Sequence, residues 1–144
     1  EEVYDDEGKL DRKFVAGKVF KDAGLLQKLN AIVHPAVREH FLGWVAEQTA
    51  PYVIQETALI FENNAQDKYD RTILVTAPEE IRAHRVMKRD QVGKEAVMDR
   101  MRNQMADDQK ADLAHFCIEN VDLKTTNSKV KQLHAKLLDL AAKF

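Results

Sequence analysis

The sequence predicts an α/β domain built on a parallel sheet with helices on its faces. Three apolar runs predict the sheet. Thr72-Ile73-Leu74-Val75-Thr76 and Phe116-Cys117-Ile118 lack a polar face, as strands buried on both sides do. Tyr52-Val53-Ile54 with Ala58-Leu59-Ile60-Phe61 reads the same way, bounded by Pro51 and by Asn63-Asn64. Around these runs, apolar residues recur at helical spacing. Alternation of strands with helices implies crossover connections.

Length and composition fit that class. The chain has 144 residues, 44% hydrophobic and 32% charged, enough for one globular domain with a core. A net charge of −2 gives no general reason to expect nucleic acid or a membrane as partner. No apolar run approaches the length of a transmembrane helix. The single cysteine, Cys117, stands in an apolar setting and has no partner for an internal disulfide, so a cytoplasmic location is expected.

Residues 1–12 hold six acids against Lys9 and Arg12, a solvated segment around a turn at Asp6-Glu7-Gly8. The chain opens without Met or a first structural element and reads like the middle of a longer protein. A helix is expected from Asp11, with Phe14, Val15, Val19 and Phe20 on one face and Asp22-Ala23-Gly24 as its stop. A second helix carries Leu25, Leu26, Leu29, Ile32 and Val33. His34-Pro35 should end it, because proline expels its predecessor from the α region and suits a helix's first turn. A third helix then runs from Pro35 to about Thr49, burying Val37, Phe41, and Trp44 or Val45. His34 is a local hydrogen-bonding residue or a catalytic one. Arg38, one turn on, meets an anion or solvent. Gly17-Lys18 is no phosphate loop, since Val19 replaces the required Ser or Thr.

After the run at 51–61 comes a polar loop from Glu62 to Tyr69. Glu62 stands where ligands bind in open α/β sheets, beyond a strand's carboxyl end, or simply faces solvent there. Past the strand at 72–76, Pro78-Glu79-Glu80 opens a helix with acids on its positive end. Gln91-Val92-Gly93 breaks it, and a further helix follows. Arg85 and Arg89 lie four apart, as do Arg100 and Gln104. Any one arginine here reads as a solvated charge. Two such pairs across a joint suit closure on a phosphate chain, which guanidinium groups bind bidentately. Phe116-Cys117-Ile118 ends in Glu119-Asn120, and a last helix from about Ser128 buries Val130, Leu133, Leu137 and Leu140. His115 and His134 have no ligand-like neighbours. No metal cluster, catalytic triad or internal repeat is visible.

Taken in order, Leu29-Asn30 through His34-Pro35, Pro51-Tyr52-Val53, and Ala58-Leu59-Ile60-Phe61-Glu62-Asn63 resemble the dephospho-coenzyme A kinase family. So do Arg85 through Arg89-Asp90, Arg100 through Gln104, and Lys110 through Ile118-Glu119-Asn120. The set runs from Gly8 to the final helix. Departures are Ala58 where the family often has Pro, His115 where it usually has an acid, and no Gly near Asp122.

The resemblance implies a P-loop-kinase-like fold with a helical substrate-binding insertion and an arginine-bearing lid. It implies transfer of the γ-phosphate of ATP to the ribose 3′-hydroxyl of dephospho-CoA, the last step of CoA synthesis. Residues 1–50 would form the CoA-side helical region, 51–80 with 106–144 the core, and 81–105 the lid. Arg85 and Arg89 would stabilise phosphate as catalytic residues. His34, Arg38 and Glu62 would bind substrate, and Arg100, Gln104 and Asn120 the nucleotide. The family's phosphate loop and nearby Asp base have no counterpart here. Mg²⁺ would be bound mainly by that loop. The expectation is a fragment inactive alone, prone to self-association through exposed sheet edges. Two alternatives stand beside it: another small P-loop kinase, such as a nucleoside monophosphate kinase, and a non-catalytic CoA- or nucleotide-binding module. A nucleic-acid role for residues 81–102 is disfavoured because no aromatic platform interleaves with the charge.

Overall fold

The computed structural model describes residues 3–4, 7–102 and 104–143. The chain forms two compact units, Glu1–Val53 and Ile54–Phe144.

The first unit is a helical pair, α1 (Arg12–Val19) packed on α2 (Ala23–Ala46). Asp11 caps α1, its carboxylate accepting from the N–H groups of Lys13 and Phe14 at 3.0 and 2.9 Å. Asp22 caps α2 in the same way, accepting from Gly24 and Leu25 at 2.8 and 3.1 Å. Asp22-Ala23-Gly24, expected as a stop, is therefore the start of the next helix. An aspartate that satisfies two orphan amides outweighs the helix-ending preference of one glycine.

Helix α2 also runs straight through Pro35, where the sequence predicts a fresh start. Proline removes the hydrogen bond to the Ala31 carbonyl, a cost of about 3 kcal/mol in a helix interior. Apolar spacing continues on both sides, from Leu25 to Val45, and overrides that local cost. Phe41 stacks on Trp44 with ring centroids 5.9 Å apart. Val37 and Trp44, expected in the core, are 56% and 43% exposed, and neither helix has a fully buried residue.

The second unit is built on two strands, β1 (Ile73–Thr76) and β2 (Phe116–Glu119). They pair in parallel, with Ile73 opposite Phe116 and Thr76 opposite Glu119. Between them run α3 (Glu79–Asp90), α4 (Lys94–Arg102) and α5 (Asp107–Leu113), and α6 (Leu123–Ala141) follows β2. Phe61, Ala77, Ala83, Val97, Ile118 and Leu133 are buried, together with Thr72 and Lys110.

Residues 51–61 do not form the predicted strand. The backbone from Leu59 onward spends its donors locally: Asn63 N–H donates to Leu59 O, Asn64 to Phe61 O, and Ala65 to Ile60 O. Asn64 takes the left-handed conformation, φ 48°, which asparagine tolerates better than most residues. Phe61 is buried, while Ile54 and Leu59 are 67% and 44% exposed.

Three further expectations shift. Helix α6 begins at Leu123 rather than near Ser128, because Asp122 accepts from the Thr125 N–H at 2.8 Å and caps it. Val130 on that helix is exposed, and so is Cys117, which was expected in an apolar setting. Among the described residues, no helix is long and apolar enough to cross a membrane.

Thr72 and His115 lock the entry to the two strands. Thr72 N–H donates to His115 Nδ1 at 3.2 Å, and His115 N–H donates to Thr72 Oγ1 at 3.2 Å. His115 is thus a structural residue whose Nδ1 accepts, which places a neutral ring's proton on Nε2. Replacing Thr72 by Val leaves the His115 amide without its acceptor and is expected to cost about 1 kcal/mol. Urea unfolding of Thr72→Val beside Thr72→Ser checks this: the serine variant, which keeps the hydroxyl acceptor, should avoid most of the loss, and equal loss in both contradicts it.

Candidate functional site

The carboxyl ends of β1 and β2 are where an open α/β sheet receives its ligand. Asn120 follows β2 directly, and its N–H extends the ladder by donating to Thr76 O at 2.7 Å. Its side-chain Oδ1 accepts from the Thr126 hydroxyl at 3.2 Å. Arg85, on α3, reaches this corner. Its Nη1 donates to Asn120 O at 2.8 Å and its Nη2 to Val121 O at 2.9 Å. Arg85 and Asn120, far apart in sequence, are therefore brought together. Arg85 was expected at phosphate; here two of its donors clamp the backbone beside the strand end.

Helix α3 ends where Gln91 turns left-handed, φ 55°, and the Gln91 side chain donates to the Lys88 carbonyl at 2.8 Å. Across this joint Asp90 joins two arginines of the expected lid. Arg89 Nε and Nη2 donate to it at 2.7 and 3.2 Å, and Arg100 Nη1 at 3.2 Å. The Arg89 hydrogen bonds hold the Asp90 carboxyl below its ordinary value against a desolvation push, with help from Arg100. Gln104 is exposed just beyond α4, its N–H donating to Met101 O.

A buried contact lies at the foot of this assembly. Lys110 Nζ meets Glu62 Oε1 at 2.7 Å, with the two side chains only 9% and 17% exposed. The same oxygen accepts from Met105 N–H at 3.1 Å. Oε2 is buried without a hydrogen-bond partner among the described residues. Burial pushes the Glu62 carboxyl up, but the Lys110 ammonium and the Met105 amide outweigh it and hold the group ionised below its ordinary value. Glu62 thus ties the segment between α4 and α5 to the turn after Phe61. Arg82 and Asp107 add a paired-donor bridge from α3 to α5, at 3.0 and 3.2 Å.

Sequence reasoning did not single out Lys110, Arg82, Asp107 or Asp90 as functional side chains. Lysine and arginine look solvent-facing until their carboxylate partners are known. The one available signal was Asp90, an acid in the last turn of a basic helix.

In the first unit, His34 and Arg38 lie one helical turn apart on α2, both exposed. Among the described residues no group of three His, Cys, Asp or Glu is placed to hold a metal ion. A shallow depression lined by Arg71, Phe116, Lys136, Asp139 and Leu140 lies near the amino ends of the strands, the end that such sheets do not use for ligands.

A parallel pair with a helical crossover and guanidinium groups at its carboxyl end is an α/β arrangement. The comparisons narrow the class. A family profile described as dephospho-CoA kinase matches residues 1–125. A dephospho-CoA kinase of Bacteroides fragilis is 34% identical over 138 residues, 95% of this chain and 67% of that protein. One from Thermus thermophilus is 37% identical over 131 residues, 90% of this chain and 64% of that protein. A crystal structure of a Thermus thermophilus protein superposes with a TM-score of 0.81 at 37% identity, covering 90% of this chain and 69% of that one. The chain belongs to the dephospho-CoA kinase family. It spans about two thirds of the length of these relatives, 67% and 64% for the two named.

Because the folded Glu62 carboxyl titrates below its unfolded value, its contribution is complete above the ordinary value of 4.5 and vanishes as pH falls through the folded value. Urea unfolding across the acid range should therefore show wild type losing stability there more steeply than Glu62→Gln. Parallel curves for the two proteins contradict the pairing.

Proposed function

We propose that a protein joining this chain to the family's phosphate loop transfers the γ-phosphate of ATP to the ribose 3′-hydroxyl of dephospho-CoA, giving CoA and ADP, and that this chain alone, whose sequence holds no such loop, is inactive. One observation carries the reading: relatives named dephospho-CoA kinase match 90–95% of the chain at 33–37% identity. In the reaction the acceptor oxygen bonds to the γ-phosphorus, the bond to the β,γ-bridging oxygen breaks, and the hydroxyl proton is released. Little covalent work falls to the protein, so placing charge where it develops is what side chains contribute.

In this reading Arg89 and Arg100 supply that charge from the two sides of the joint between α3 and α4. Arg85 stabilises the phosphate site by fixing the Asn120 corner at the strand end, which with Gln104 faces the nucleotide. His34 and Arg38 serve the acceptor from α2. Glu62, whose Oε1 is committed to Lys110 and Met105, orders the base of the lid rather than gripping substrate. Mg²⁺, travelling with ATP, neutralises phosphate oxygens when bound.

The test is direct. This chain alone should form no CoA from ATP and dephospho-CoA, whereas a protein that carries it together with the family's phosphate loop should convert dephospho-CoA to CoA, with AMP a poor acceptor in its place. Equal or faster turnover of AMP favours a nucleoside monophosphate kinase instead. Arg89→Gln should lower kcat/KM about a hundredfold, the scale of removing one preorganised charge from a transition state. His34→Ala should raise the KM for dephospho-CoA with the KM for ATP unchanged; an effect on ATP alone would remove His34 from the acceptor side.

A further inference from the structure

Asp90 sits where helix physics disfavours it. It is the last residue of α3, where the macrodipole is negative, and Lys88 and Arg89 in the same turn obey the rule that it breaks. Two guanidinium groups offset that local cost. Arg89 contacts both carboxylate oxygens, and Arg100 reaches Oδ2 from α4. One acid thus joins the last turns of two helices across a joint that holds the left-handed Gln91 and the flexible Gly93.

The charges do not balance. Two arginines around one carboxylate leave one positive charge over, and the arginine side chains remain 75% and 62% exposed while Asp90 is 26% exposed. An anion arriving from solvent meets the guanidinium groups before it meets the acid. Carboxylate and phosphate offer guanidinium the same paired-acceptor geometry, so they compete for the same donors. Exposed ion pairs of this kind are weakly held and easily exchanged.

We propose that Asp90 is an internal stand-in for a nucleotide phosphate. It gathers Arg89 and Arg100 in the unliganded protein, and an incoming phosphate chain displaces it from at least one of them. The idea rests on the assignment of these arginines to phosphate and adds a residue that sets the affinity for it. A competitor and a positioning residue differ in sign. Neutralising a competitor strengthens anion binding; neutralising a positioning residue weakens it.

Calorimetric titration of the chain with inorganic tripolyphosphate at low ionic strength reads that sign. Asp90→Asn and Asp90→Ser, each first shown to be folded by circular dichroism, should bind about tenfold tighter than wild type, with the gap closing as salt screens the charge. Arg89→Gln and Arg100→Gln should bind more weakly. If the arginine variants weaken binding and neither Asp90 variant strengthens it, the stand-in role alone is overturned. If the arginine variants bind like wild type, the phosphate reading of the lid falls and the stand-in falls with it. Absence of measurable binding by wild type and both Asp90 variants also overturns it.

Discussion

Two parallel strands cannot be joined by a hairpin; the chain must leave the sheet, cross it and return. In this protein the return trip from Thr76 to Phe116 carries α3, α4 and α5, and with them the arginines proposed to meet phosphate. The β1–β2 pairing therefore fixes where those helices begin and end. Asn120, one residue past β2, hydrogen-bonds to Thr76 at the end of β1, so departure and arrival points of the crossover are one corner. Arg85 closes that corner from α3 by holding the carbonyls of Asn120 and Val121.

The crossover's charged ties differ in depth, and depth decides their work. Lys110 and Glu62 are nearly enclosed, where a broken pair leaves an uncompensated charge and costs several kcal/mol, roughly 3–5. Arg82 and Asp107 are intermediate. The Asp90 cluster lies at the surface, where ion pairs are weak and exchangeable. Crossover helices fastened firmly at Lys110–Glu62 and loosely at the joint between α3 and α4 can rearrange at the joint without losing their place on the core. Asp90 is the expendable tie and Glu62 the permanent one.

The division between what was legible in the sequence and what was not follows the same physics. Strands β1 and β2 were legible because a short run with no polar face has few other fates. The break at Gln91-Val92-Gly93 could be read from spacing alone, whereas spacing paired Arg85 with Arg89 and Arg100 with Gln104 and did not reveal that Asp90 joins Arg89 to Arg100. The run at 51–61 was apolar enough for a strand, yet a strand exists only through a lateral partner, and Asn64 let the backbone close on itself instead. Pro35 misled because its cost of a few kcal/mol, about 3, is local, whereas the apolar spacing that outweighs it spans the whole of α2. Asp22 and Asp122 were read late or in reverse because a capping aspartate resembles any turn acid until its amide partners are placed. Lys110 stayed hidden for a similar reason: nothing near it in sequence announces that a carboxylate before residue 63 will bury it.

The account stands on the claim that Glu62 anchors the crossover through one carboxylate oxygen shared by Lys110 and the Met105 amide. Native-state hydrogen exchange at the Met105 N–H, compared with that at the Asn120 N–H, tests it most directly. The account predicts protection at both amides in the wild-type protein, and in Glu62→Ala loss of protection at Met105 with Asn120 retained. A Met105 amide that exchanges freely in wild type, or stays equally protected in Glu62→Ala, would contradict it.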